Sequence, residues 1–203
     1  MLNVGVLLFL FTVSFAFNAT PFFGGPYTII ATTILLQNGI TPLSFVIVSV
    51  VTGLGAATSK TVMYAIGISA KKPLQKNRNV IFLKKIGVNR GFSITLFIAS
   101  VMPFLPMDDF LYLAGGAAKL NILSMLQISI VAKVIKSFIE IGTEFLGLKA
   151  ISEVVNVNPV EIGLISIVIF GALGYVLFKI DWERAYEEAM TYIKRLVWKQ
   201  KEG

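Results

Sequence analysis

Asn18-Ala19-Thr20-Pro21-Phe22-Phe23-Gly24-Gly25-Pro26 and Val101-Met102-Pro103-Phe104-Leu105-Pro106-Met107-Asp108-Asp109 are the two stretches that decide how this chain folds. Pro21 and Pro103 stand 82 positions apart. Proline removes a backbone donor and stops a helix, and Gly24-Gly25-Pro26 adds a second break. Each stretch lies between short apolar arms: Leu2–Phe17 and Tyr27–Leu36 around the first, Phe92–Met102 and Phe110–Ala118 around the second. Leu2–Phe17 would reach about 24 Å as a helix, against a hydrocarbon core of about 30 Å. Two short arms around a kinked tip read as a re-entrant hairpin. Such a tip is tolerated at membrane depth only where protein or trapped water satisfies its backbone. For the first hairpin, the alternative is that Leu2–Phe17 crosses by itself with local thinning of the bilayer.

Each hairpin is followed by a longer apolar segment. Pro42–Ser69 opens with a proline suited to a first helical turn and carries Gly53, Gly55, Ala56 and Ala57, which allow close helix approach. Asn121–Leu148 follows the second hairpin, and Val160–Ile180 is a further span. Hairpin plus span, repeated in opposite orientation, is an inverted repeat of the kind found in transporters. A weak echo recurs at separations of 80 to 83 residues: Pro21-Phe22 with Pro103-Phe104, Asn38 with Asn121, Gly67 with Gly147. The expected fold is an all-α integral membrane protein, an inverted repeat of re-entrant hairpin plus transmembrane helix with an additional C-terminal transmembrane helix. One polytopic domain covers 1–180, with hairpin 1 at 2–37, spans at 42–69, 121–148 and 160–180, and hairpin 2 at 92–119. Residues 181–203 read as a cytoplasmic amphipathic tail.

Composition agrees. The 203 residues are 56% hydrophobic and only 14% charged, with a mean hydropathy of +0.80, which is membrane composition. The net charge of +7 does not point to nucleic acid, because most of the basic residues fall outside the apolar segments, as the positive-inside rule requires. Ala70–Gly91 holds Lys71, Lys72, Lys76, Arg78, Lys84, Lys85 and Arg90 and no acid. It reads as a solvated cytoplasmic linker that can also attract anionic lipid headgroups. The six Lys and Arg from Lys179 onward place the tail on the same side. Residues 1–17 lack a basic leader and end in Phe15-Ala16-Phe17, so they are expected to belong to the mature protein. With neither Cys nor His, thiolate chemistry, disulfides, His-ligated metals and a Ser-His-Asp triad are excluded. No catalytic set, metal or cofactor is expected.

The informative polar residues are those inside the spans. An ionised side chain at the centre of a bilayer costs about 2.5–3.5 kcal/mol on insertion scales, so each needs a partner or water. Lys60 lies roughly 14 Å from the cytoplasmic end of its span. It is expected either in a buried ion pair or against an anionic substrate group. Lys133, Lys136, Glu140 and Glu144 recur at helical spacing and share one face. They form either a stripe that holds the repeats together or the lining of a wet path. Asp108 and Asp109 sit at the second tip, where crowded carboxylates can share a proton and serve proton coupling, or where one can cap a helix. Asn18 and Thr20 fit a glycosylation sequon but read as polar tip residues, with Pro21, Gly24, Gly25, Pro103 and Pro106 shaping the two tips.

The chain resembles the DedA/VTT (SNARE-associated) membrane family, short prokaryotic type. The likeness runs from about Thr20 to Gly147. It rests on Ala19-Thr20-Pro21, on Gly55 through Tyr64-Ala65-Ile66-Gly67, on Pro103-Phe104-Leu105-Pro106-Met107-Asp108-Asp109, and on Ala132-Lys133 through Gly147. The resemblance implies two opposed re-entrant hairpins and a role in moving lipids across the bilayer, as a phospholipid scramblase or a polyprenyl-phosphate flippase. The chain departs from the family where members carry an acid, which here is Lys60. It departs again near the second hairpin, where Ile98-Ala99-Ser100 offers no Arg. Proton coupling would then fall to Asp108, Asp109, Glu140 and Glu144.

Together these readings give the expectation of a prokaryotic cell-membrane transporter whose partners are membrane lipids, with loop 70–91 and the C-terminus cytoplasmic. An anionic headgroup would pass Lys60, Lys133 and Lys136 in a hydrated groove between the tips. A homo-oligomer is allowed. The rivals are a proton- or ion-coupled exporter of small solutes and a non-transporting scaffold whose buried charges specify packing.

Overall fold

The computed structural model describes residues 2–20, 26–70, 78–102 and 107–179. Among them the regular structure is entirely helical: α1 Val4–Ala19, α2 Tyr27–Asn38, α3 Pro42–Thr58, α4 Lys60–Ser69, α5 Arg78–Ile86, α6 Arg90–Val101, α7 Met107–Ala118, α8 Ile122–Val155 and α9 Pro159–Lys179. The tip residues Pro21, Gly24, Gly25, Pro103 and Pro106, with Lys71, Lys72, Lys76 and the tail 181–203, lie outside the described residues.

The helix starts follow local chemistry. Asn3, Asn89 and Asn121 accept bonds from the backbone N–H three residues on, at the heads of α1, α6 and α8. Thr41 and Ser44 form a reciprocal capping box around Pro42. A turn at Ser59 separates α3 from α4, yet Pro42–Ser69 acts as one long apolar rod. It and Ile122–Val155 are long and apolar enough to cross a membrane. The chain turns out of α8 at Asn156, whose φ of +56° suits asparagine.

The buried positions mix polar with apolar residues, while many large apolar side chains face outward. The buried positions of α1 are Leu10, Ser14 and Asn18, whereas Val4, Leu8 and Phe9 face outward. Those of α8 include Ser129, Lys133 and Ser137, whereas Leu123, Val131 and Ile139 are exposed. Buried polar and charged groups beneath an exposed layer of large apolar side chains suit an apolar surrounding.

Small residues let the rods touch. An added Cβ on Gly55 would stand 2.5 Å from the Phe11 carbonyl of α1, and one on Gly53 would stand 2.6 Å from Cα of Val134 in α8. α4 and α7 are locked reciprocally, Gly67 against the Leu113 carbonyl and Gly116 against that of Tyr64. The partner of Gly67 in the sequence echo, Gly147, meets nothing, so that pair carries no shared packing role. The two helices flanking the first Pro/Gly stretch divide, α1 packing on α3 and α2 on α8 and α9. The second pair divides likewise, α6 packing on α8 and α7 on α4.

Two segments depart from the expected boundaries. Within the stretch expected as a solvated linker, Arg78–Ile86 forms a helix, and Val80 is buried in the cluster around Tyr112, Leu96 and Met125. Val80 and Leu83 fall on one side of that helix, enough to dock it. The second span runs on to Val155 rather than ending at Leu148, because Lys149–Val155 contains no breaker until Asn156.

Candidate functional site: a charged seam between the helices

The turn at Ser59, the first turn of α7 and the middle of α8 meet at one point. Lys60 opens α4 there and is 2% exposed; Asp108 and Asp109 are 1% and 2% exposed, and Lys133 is 3% exposed. The Lys60 ammonium lies 2.5 Å from Oδ1 of Asp109 and 3.4 Å from Oδ2 of Asp108. Lys133 lies 2.8 Å from the same Oδ2 of Asp108. Asp108 is thus bridged by two lysines from two different spans. The acids belong to the first turn of α7, inside the helix rather than at its N-cap, and point into the protein. Burying four ionised groups is tolerated only because each meets an opposite charge at close range.

Lys136 and Glu140 lie one and two turns further along α8. Lys136 donates to the carbonyl of Met102 at 3.1 Å, the residue that ends α6. A cation there answers the unpaired carbonyls of a helix C-terminus. Its Nζ is also 3.7 Å from Glu140. Lys136 therefore anchors the arm before the second tip and stands beyond direct salt-bridge contact with the Lys60 cluster.

Glu144 sits another turn along. Its Oε1 accepts a bond from Thr28 at 2.6 Å and its Oε2 one from Thr32 at 2.8 Å, both on α2. The Thr32 hydroxyl also lies 2.9 Å from the Thr28 carbonyl. Beside it the Tyr27 hydroxyl is buried close to Asn18, Glu140 and Glu144, with no hydrogen bond of good geometry among the described residues. The Asn18 amide donates to Ser14 at 2.9 Å, and the Thr20 hydroxyl to Ala16 at 3.1 Å, so both serve their own helix. At the other end of the stripe Tyr112 donates to Ser129 at 2.9 Å, with Ser100 3.4 Å from Ser129.

Every charged residue singled out inside the spans therefore lies on one seam along α8. Thr28, Thr32, Tyr27, Tyr112 and Ser129 join it and were not singled out from the sequence. Ser129 stands one turn before Lys133 and extends the same stripe. Thr28 and Thr32 are themselves one turn apart, a spacing that puts two hydroxyls on one face. Among the described residues no group of three or more carboxylates could hold a metal ion. No protein family, curated protein or solved structure matches this chain.

Proposed function

We propose that this chain is an integral membrane protein of DedA/VTT type that moves a lipid or lipid-like amphiphile across the bilayer, as a phospholipid scramblase or polyprenyl-phosphate flippase does. The observation that carries this reading is the bridged cluster Lys60–Asp108/Asp109–Lys133, four buried ionised groups inside a shell of outward-facing apolar side chains. Intramembrane ionisable residues that face a bundle interior mark substrate and ion paths. A mobile anionic headgroup needs cations in place of its water, and those cations need counter-charges once it has left. In this reading the two hairpins and their spans form an inverted repeat. The exchange of partners supports it: the second arm of each hairpin packs on the span of the other half. The role assigned is transport rather than catalysis, in a prokaryotic cell membrane with loop 70–91 and the C-terminus inside.

A scaffold reading also has support, since Lys136 is spent on the Met102 carbonyl and Lys60 and Lys133 are neutralised by carboxylates. Flux in reconstituted vesicles separates the two. The pair Lys60→Met with Asp109→Asn removes one cation and one acid together and leaves Asp108 with Lys133. Transport requires that this variant fold, elute as the wild type does, and lose most movement of a fluorescent phospholipid or polyprenyl phosphate. No flux from the wild type under any lipid composition, or full flux from the variant, would remove the proposed path. Orientation is checked separately: without native cysteine, Lys85→Cys should label only from the cytoplasm and Asn156→Cys only from outside.

A further inference from the structure

A cavity of about 330 Å³ opens between α5 and the end of α7, apart from the charged seam. Val80, Ile81 and Lys84 line it from α5, and Ala117, Ala118 and Lys119 from the α7 end. Two of these six residues are lysines and none is an acid, so the complementary occupant is an anion. The other four are apolar, so the occupant also carries hydrocarbon or lies beside it.

Both lysines stand on anchored backbone with exposed side chains. Lys119 has φ of +57°, a left-handed position usually given to glycine at a helix end. The turn is pinned by the bonds from Lys119 N to the Gly116 carbonyl at 3.1 Å and from Leu120 N to the Gly115 carbonyl at 2.9 Å. The Tyr64 hydroxyl clamps the Leu120 carbonyl at 2.7 Å. A non-glycine residue kept in a disfavoured backbone conformation where it lines a charged cavity points to use. Lys84 is set on the facing wall because α5 docks through Val80, 5% exposed, and Leu83. The free side of α5 shows Ile81 and Phe82, 55% and 60% exposed, beside Lys85. Apolar and basic groups mixed on one short helix match the boundary between acyl chains and headgroups.

We propose that this cavity binds the phosphate of an anionic membrane lipid, held between Lys84 and Lys119, with the lipid's apolar part running over Ile81. Free phosphate shares the charge, but four apolar walls favour the lipid. The inference rests on the membrane placement proposed above and not on transport.

The test uses the whole protein purified in detergent, with native mass spectrometry counting bound lipid. Separate arms add phosphatidylglycerol, phosphatidylcholine and inorganic phosphate. Phosphatidylglycerol should bind first and phosphatidylcholine more weakly. Lys84→Gln with Lys119→Gly should weaken the first phosphatidylglycerol by on the order of tenfold or more, whereas Lys149→Gln, an exposed lysine of α8 that does not line the cavity, should change it little. Lys119→Gly suits the local backbone, and Lys84→Gln by itself should move binding the same way without touching that turn. Equal binding of phosphatidylcholine, or wild-type affinity in the double variant, would overturn the site. Displacement of the lipid by inorganic phosphate would reassign it to a free anion. A protein that stays soluble without detergent would instead remove the membrane placement, whatever it binds.

Discussion

Two carboxylate sites meet α8, one at Lys133 and one at Glu144, eleven residues and roughly 16 Å apart along it, and they are satisfied in opposite ways. At Lys133 the acids Asp108 and Asp109 are answered by ammonium groups from two spans. At Glu144 the carboxylate is answered by the hydroxyls of Thr28 and Thr32, and among the described residues no cation pairs with it. The seam holds three ammoniums and four carboxylates, Lys60, Lys133 and Lys136 against Asp108, Asp109, Glu140 and Glu144. The first site is closed by charge and breaks when one partner goes. The second is closed by neutral donors and survives a neutral replacement of the acid. A buried pair is costly to cut in half and cheap to remove whole, whereas a hydroxyl-bound carboxylate depends on its donors one by one.

The largest effect that can break this contrast is expected at Lys60. Lys60→Met strips Asp109 of its nearest ammonium and leaves Asp108 with Lys133 alone. It should cost about 3–5 kcal/mol in reversible unfolding in micelles. Adding Asp109→Asn should restore most of that loss, giving a strong coupling in the double-mutant cycle. If the two changes simply add, the site is not a charge-closed pair.

The next effect belongs to the other site. Thr28→Val removes one hydroxyl from Glu144 and should cost about 1.5–3 kcal/mol in the same unfolding measurement, as for a hydrogen bond to a charged group. A loss as large as that of Lys60→Met would erase the distinction.

Two smaller changes sharpen the scale. Lys119→Gly, outside both sites, should raise stability by about 0.5–1 kcal/mol, since glycine accepts the left-handed φ that lysine pays for there. Glu144→Gln keeps an oxygen acceptor for one threonine and should shift stability by less than about 1 kcal/mol. If Glu144→Gln behaves like Lys60→Met, an unseen counter-charge closes that site too.

The contrast between the two sites was half legible. The spacing of Lys133, Lys136, Glu140 and Glu144 put them on one face, and the depth of Lys60 demanded a partner. Which acid would meet which lysine could not be read, because Lys60 and Asp109 lie 49 residues apart. Thr28 and Glu144 lie 116 apart. Two threonines in an apolar arm look unremarkable until another helix brings a carboxylate against them. Nor could it be read that Lys136 would meet the Met102 carbonyl, 34 residues back, as well as Glu140.

The chain's local order alone determined the all-helical character, the two long apolar rods and the polar face of α8. Composition and periodicity act within a few turns, and they settle which side of a helix is polar. Tertiary structure decided the rest: the docking of α5 through Val80, the left-handed turn at Lys119, the bridging of Asp108 by two spans, and the hydroxyl cradle of Glu144. Each depends on which rods pack together. That is set by backbone approach at glycines such as Gly67 and Gly116, a property of two distant segments at once and of neither by itself.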